Sequence, residues 1–139
     1  MASELKIQSQ IMEDARSAKT GTYAMKMSNH FLSGIPDLMI KLPGYEVIFV
    51  EVKKGDVDKD GMVAINTTPL QRQTMRLMEK AGLIVEVWVV INDDGELRML
   101  RSVPEATKVS CELKTLPRRK RGDGWAIEEF LNNPVRKEK

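Results

Sequence analysis

Residues 37–53 decide the fold, and they read DLMIKLPGYEVIFVEVK. Apolar residues recur at every second position on both sides of the central PGY, as in two half-buried strands joined by a tight turn. The pattern predicts strands at residues 37–42 and 46–53. Because side chains along a strand point alternately to its two faces, each strand has one apolar face and one face for the remaining residues.

The register of this strand pair follows from its apolar residues, because a slip of one position would turn a whole apolar set to the wrong face. Matching the two sets requires a three-residue loop, Pro43–Tyr45. Asp37 then lies directly opposite Glu51. Lys53 lies on the same face, roughly 7 Å further along the second strand.

Two carboxylates that face each other across a sheet repel, so the pairing of Asp37 with Glu51 needs a compensating charge. Carboxylate oxygens, a backbone carbonyl and waters together suit a hard octahedral ion such as Mg²⁺ or Mn²⁺. Such an ion polarises a phosphodiester and activates water, while Lys53 orients that water or neutralises charge growing on the phosphate. The competing interpretation is an ordinary Glu–Lys pair on a solvent-facing strand.

Outside this pair, the sequence predicts helices at about residues 3–18 and 68–82 and a short helix at 125–131. Further strands are predicted at residues 22–27, 83–91 and 96–103, and the polar residues 54–67 are expected to form a loop. The strand–helix–strand order from residue 46 to residue 91 implies a parallel pair with a right-handed crossover. The expected fold is a mixed α/β sandwich.

The helix at residues 68–82 begins with a capping box, in which Thr68 is the cap and Gln71 stands three residues later. Gly82 ends the helix. Its inner stripe is predicted to comprise Leu70, Thr74, Leu77, Met78 and Ala81.

Size and composition limit the class of protein. The 139 residues have the length of one domain, and the single cysteine, Cys111, excludes an internal disulfide and a cysteine metal cluster. Neither a membrane-spanning run nor a signal peptide is recognisable, so a cytoplasmic protein is expected. No glycine-rich phosphate loop is present, so no nucleotide cofactor is expected.

Positive charge concentrates near the C-terminus although the net charge is only +2. Arg118, Arg119, Lys120 and Arg121 form a dense basic cluster, which attracts phosphate at any sequence. A solvated tail is an equally good interpretation of this cluster. We assign residues 1–103 to the main domain and residues 104–139 to a C-terminal extension that packs on the same domain or on a partner subunit.

Three separated motifs resemble the VRR-NUC domain family of the PD-(D/E)xK nuclease superfamily: GIPDL at 34–38, FVEVK at 49–53, and TPLQ at 68–71 followed by AG at 81–82. The resemblance extends roughly from Glu4 to Trp88. It implies a restriction-endonuclease-like mixed α/β sheet flanked by helices in a single domain.

The same resemblance assigns roles to individual residues. Asp37, Glu51 and the Val52 backbone carbonyl would hold the Mg²⁺ or Mn²⁺ ion, and Lys53 would be catalytic. Gln71 matches a helix glutamine near the active site of the family, which competes on equal terms with its interpretation as a helix cap. Glu4 is a weaker match to an acidic residue that some members add to the site.

The resemblance also implies a substrate. Short standalone members of the family occur in phages and resemble Holliday junction resolvases, so we expect a homodimeric endonuclease for branched DNA, acting in a bacterial host if the protein is phage-encoded. Lys26, Ser33 and Lys54, together with the basic cluster, are candidate DNA contacts. A less selective flap, end or duplex nuclease and a catalytically idle DNA-binding module are the alternatives.

Overall fold

The computed structural model describes residues 3–18, 21–27, 34–120 and 124–131. None of the helices in these ranges is long and apolar enough to cross a lipid bilayer. The elements are α1 (Glu4–Ala18), β1 (Tyr23–Lys26), β2 (Leu38–Lys41), β3 (Ile48–Gly55), β4 (Met62–Ala64), α2 (Pro69–Lys80), β5 (Ile84–Asp93), β6 (Glu96–Ser102), β7 (Lys108–Ser110) and α3 (Ile127–Leu131), with a single 3-10 turn at Leu113–Thr115.

Five strands form a mixed sheet in the order β1-β2-β3-β5-β6. β3 and β5 are parallel, and the other neighbouring strands are antiparallel. α2 lies in the crossover between β3 and β5, and it packs on one face of the sheet, whereas α1 and α3 pack on the other. The chain therefore has the restriction-endonuclease-like mixed α/β fold that the sequence predicts, in a single domain.

The hairpin of β2 and β3 has the predicted register, with Leu38 opposite Val50 and Ile40 opposite Ile48. A turn joins the strands, in which the Tyr45 N–H donates to the Leu42 carbonyl at 3.0 Å. Gly44 has a φ of +87° in this turn, a value that a glycine adopts without steric cost. The apolar alternation and the PGY turn thus specify the same pairing.

The two faces of β3 belong to different cores. Val50 and Val52 are buried among the side chains of α1 and α3, while Phe49 packs into the core on the α2 side. Alternation along the strand places Glu51 and Lys53 on the same side as Phe49. The site residues therefore face α2.

β5 is buried on both faces, as its continuous apolar run predicts, yet it carries a charged residue inside it. Glu86 is 4% exposed and accepts hydrogen bonds from Arg101 at 2.6 and 2.7 Å and from Trp88 Nε1 at 2.9 Å. The Arg101 guanidinium also donates to the Leu131 carbonyl at 2.8 Å. The buried pair of Glu86 and Arg101 therefore links α3 to the sheet by hydrogen bonds.

The prediction of a loop at residues 54–67 is wrong in part. β3 continues to Gly55, and β4 pairs with β7 in a second, two-stranded sheet in which Val63 lies opposite Val109. A strand of three residues is too short to show a period, and its partner lies more than forty residues away. Pairing at a distance therefore creates an element that the local pattern does not reveal.

The predicted inner stripe of α2 is also wrong in part. Leu70 and Leu77 are 48% and 59% exposed, whereas Met75 is fully buried and Met78 packs against the core. The helix has two apolar sectors, and the one that contains the methionines faces the sheet.

Candidate active site

Asp37 lies immediately before β2, at the edge of the β2–β3 hairpin. Its Oδ2 accepts a hydrogen bond from the Val52 N–H at 2.9 Å. β2 begins at Leu38, so no strand residue faces this part of β3, and the carboxylate takes the place of a backbone acceptor. In an extended strand the N–H and C=O of one residue point to the same side, so the Val52 carbonyl faces the same edge as Asp37.

Glu51 is the buried centre of the site, with 3% of its surface exposed. Its Oε2 accepts a hydrogen bond from Gln71 Nε2 at 3.0 Å and lies 3.5 Å from Lys53 Nζ. Its Oε1 is also buried, and no described residue donates a hydrogen bond to it. A buried carboxylate oxygen without a donor is costly unless a proton or a cation occupies its lone pairs.

The pKa values of Glu51 and Asp37 reflect this cost. Burial, and then the charge of Asp37, raise the pKa of Glu51 to about 8, although Lys53 opposes the shift. Burial also raises the pKa of Asp37 above its usual value, against the Val52 N–H and the Lys53 charge, which lower it. Two carboxyl groups that resist joint ionisation form a site that binds positive charge.

Gln71 acts as a helix cap and as a site residue in the same conformation. Its Oε1 accepts from the Thr68 N–H at 2.9 Å, and the Thr68 hydroxyl accepts from the Gln71 N–H at 3.1 Å, which completes the capping box. The Nε2 of the same side chain is the group that donates to Glu51. Both interpretations of the sequence are therefore compatible.

Glu4, in the first turn of α1, approaches the site from the other face of the sheet. Its Oε2 accepts from the Lys54 N–H at 3.0 Å, two residues beyond the N–H that Asp37 binds. Its charge contributes to the raised pKa values of Asp37 and Glu51. The described geometry thus gives Glu4 a place at the strand edge, and direct binding of a metal by Glu4 stays a prediction.

The donor set indicates which metals fit. In the described ranges, no three His, Cys, Asp or Glu side chains converge closely enough to enclose a metal by themselves. Two carboxylates, one of them with an oxygen that accepts no hydrogen bond from a described residue, and a backbone carbonyl at the strand edge would leave the remaining coordination positions to water. Mg²⁺ and Mn²⁺ keep such water ligands, whereas structural zinc does not. The residues present therefore fit a hard divalent cation.

The segment before Asp37 packs tightly on α2. Gly34 has a φ of +84°, and a Cβ at this position would stand 2.7 Å from Thr74 Oγ1 and 3.2 Å from the Leu70 carbonyl oxygen. Only a glycine permits this approach. α2 therefore contacts both strands of the site, through Gly34 before β2 and through Gln71 at β3.

The candidate DNA contacts are dispersed. Lys26 is exposed on β1, Lys54 is half-buried at the end of β3, and Ser33 and Arg121 lie outside the described residues.

The described part of the basic cluster lines an open cleft of about 550 Å³ beside the β5–β6 turn. Arg118 pairs with Glu96 at 2.9 Å, and Arg119 pairs with Asp14 at 3.3 Å. Lys120 is exposed. The structure therefore does not gather these cations around Glu51, since β5 and β6 lie between β3 and the cluster.

The cations of α2 are not among the site residues that the sequence predicts. Arg72 follows Gln71 directly, and Arg76 and Lys80 come four and eight residues after Arg72. Arg76 and Lys80 are exposed. Their spacing of i, i+4 and i+8 is visible in the sequence and marks one stripe of a helix.

The sequence matches no protein-family model and no curated protein. Among solved structures, the chain is 30% identical to one described as a VRR_NUC domain, with 62% of this chain and 82% of that chain covered and a TM-score of 0.46. It is 14% identical to Hjc, a Holliday junction resolvase of the archaeal hyperthermophile Archaeoglobus fulgidus, with 68% and 72% covered and a TM-score of 0.46.

A mixed sheet with an acidic hairpin edge, a neighbouring lysine and a crossover helix defines the restriction-endonuclease-like class. Within that class, the 30% identity over 82% of the solved domain adds to the three matching motifs. The chain belongs to the VRR-NUC family.

Proposed function

We propose that the protein is a metal-dependent endonuclease that hydrolyses phosphodiester bonds in DNA. The observation that carries this proposal is the pairing of half-buried Asp37 with buried Glu51, whose Oε1 accepts a hydrogen bond from no described residue while Lys53 Nζ lies 3.5 Å from its Oε2. A structural ion pair needs one carboxylate for one lysine, whereas this site contains a second, Asp37, at the cost of repulsion.

Asp37 and Glu51 would hold Mg²⁺ or Mn²⁺ together with the Val52 carbonyl. When bound, such an ion supplies a Lewis acid for the scissile phosphate and a route to activated water. The Val52 N–H holds Asp37 in position, and Gln71 Nε2 holds Glu51 in position. These contacts fix the two carboxylates before substrate arrives, which is the condition for effective electrostatic catalysis.

Lys53 is the proposed catalytic cation. Its side chain is 13% exposed, so the ammonium is accessible to a phosphate while partly shielded from water. In that environment it stabilises charge that develops on the phosphate oxygens and orients the attacking water more strongly than an exposed lysine would.

The preferred substrate that we propose is branched DNA, cut by a homodimer. This finer proposal rests on the family, whose short standalone members resemble junction resolvases. Two sites related by a two-fold axis would cut opposing strands of one junction.

The test is an incision assay on a four-way junction, a flap and a linear duplex, with Mg²⁺, Mn²⁺ or EDTA. We expect metal-dependent incision that is fastest on the junction and that Lys53→Ala reduces at least a hundredfold. Lys59→Ala, which removes an exposed lysine from the loop after β3, is the matched control and should leave the rate unchanged. Junction binding without incision by the unmodified protein would instead favour a DNA-binding module.

A further inference from the structure

α2 begins at the active site and leads away from it. Gln71 in its first turn contacts Glu51, and the helix continues to Lys80. With a rise of about 1.5 Å per residue, Arg76 lies roughly 7 Å and Lys80 roughly 13 Å beyond Gln71 along the helix axis. We call Arg76 and Lys80 the α2 ridge.

The cations of the α2 ridge have no partner among the residues that the structure describes. Both side chains are exposed, and neither forms an ion pair or hydrogen bond with any residue in the described ranges. Arg72, one turn earlier, differs because its guanidinium donates to the carbonyl and the hydroxyl of Thr67. Arg72 therefore has a structural role that the two ridge residues lack.

The single acid of the helix does not neutralise the ridge. Burial, and then the charge of Glu105, raise the pKa of Glu79, and no described cation lowers it. No ion pair connects Glu79 to a described cation.

The α2 ridge therefore destabilises the helix in the absence of a bound partner. Like charges four residues apart destabilise a helix, and Arg72, Arg76 and Lys80 form two such pairs. Lys80 gains stabilisation from the helix C-terminus, where a cation is favourable. Arg76 lies in the middle of the helix and, although Glu79 stands three residues later, forms no ion pair with any described acid, which points to a partner that carries negative charge.

We propose that the α2 ridge binds the phosphate backbone of the DNA arm that leads away from the scissile bond. This inference rests on the proposed function, because it assumes that DNA occupies the site at Glu51. At about 3.4 Å per nucleotide, the axial offsets correspond to phosphates roughly two and four nucleotides from the cut. Leu70 and Leu77 are exposed on a neighbouring flank of the helix, so a protein partner is the competing occupant.

The test is the salt dependence of DNA binding, measured by fluorescence anisotropy in EDTA so that no incision occurs. The variant Arg76→Ala with Lys80→Ala should weaken binding on the order of tenfold and reduce the slope of log K against log salt by about 1.8, or 0.9 per lost contact. The midpoint temperature of thermal unfolding should change little, because the loss of repulsion within α2 offsets the loss of the favourable interaction between Lys80 and the helix C-terminus.

The matched control is Lys108→Ala with Lys114→Ala, which removes the same charge from exposed residues that pair with Asp58 and Asp93. Its slope should change by less than half as much. The proposal is overturned if both double variants change the slope equally, or if the ridge variant loses self-association while binding DNA normally.

These outcomes do not depend on whether the proposed function is correct. A reduced slope in EDTA supports the ridge even if no metal ion restores incision. Conversely, metal-dependent incision with unaltered binding by the ridge variant would support the nuclease and overturn the ridge.

Discussion

Gln71 Nε2 lies 3.0 Å from Glu51 Oε2, so the first turn of α2 is hydrogen-bonded directly to the buried carboxylate of the site. The same side chain closes the capping box with Thr68, which couples the start of the helix to the geometry of the site. Substitutions of Gln71 and Thr68 can therefore separate the role of Gln71 as a helix cap from its contact with Glu51.

Replacing Gln71 by Glu keeps an acceptor for the Thr68 N–H but removes the donor to Glu51 and adds a third acidic group. We expect Gln71→Glu to lower metal affinity or incision on the order of tenfold to a hundredfold. Thr68→Ala loses only the cap and should cost about 1 kcal/mol of stability with little effect on incision. Equal kinetic losses in both variants, from single-turnover assays, would contradict separate roles.

The raised pKa of Glu51 predicts a stability profile for the metal-free protein. Because the pKa rises from 4.5 in the unfolded chain to about 8 in the folded state, the folded state binds more protons between these values. Stability should therefore fall as pH increases across this window, by at most about 1.4 kcal/mol per pH unit.

Urea denaturation in EDTA at a series of pH values measures this slope. Glu51→Gln, which cannot ionise, should flatten the profile and be more stable than the unmodified protein near pH 8. The same slope in the variant would contradict this assignment, because the titrating group would then lie elsewhere.

Gly34 and Gly44 form a matched pair for testing the contact between α2 and the segment before Asp37. Both have a positive φ, +84° and +87°, but a Cβ at Gly44 meets nothing within 4 Å, whereas one at Gly34 collides with Thr74. Each alanine variant should lose about 1–2 kcal/mol for the backbone conformation. Gly34→Ala should lose more, and only this variant should also lose incision activity.

The buried pair of Glu86 and Arg101 predicts strong coupling between two substitutions. Arg101→Leu alone leaves a buried, unpaired carboxylate and should cost about 3–5 kcal/mol. Combining it with Glu86→Leu should recover part of this loss. Chemical denaturation of both single variants and the double variant gives the coupling energy, and strict additivity would show that the two side chains act independently.

The parts of the structure that the sequence predicts are those with a local signal. The hairpin register follows from a period of two, and the helix start at Thr68 follows from its capping box. Both signals lie within a few residues of the structure that they specify, and together they predict that Asp37 and Glu51 lie side by side.

The parts that the sequence does not predict depend on distant partners. β4 requires β7, and Glu86 requires Arg101. For α2, the leucine sector and the methionine sector are both plausible apolar faces from their periodicity. Gln71 contacts Glu51 only when the methionine sector faces the sheet, so tertiary packing decides between them.

The central claim is that Asp37 and Glu51 together bind one divalent cation. Calorimetric titration of Mn²⁺ near pH 7, in two buffers of different ionisation enthalpy, tests it most directly. We expect one ion per chain with release of about one proton, because the ion replaces the proton that the pair holds below pH 8. Asp37→Asn and Glu51→Gln should abolish this binding, whereas binding that persists unchanged in both variants, or no binding at all, would contradict the account.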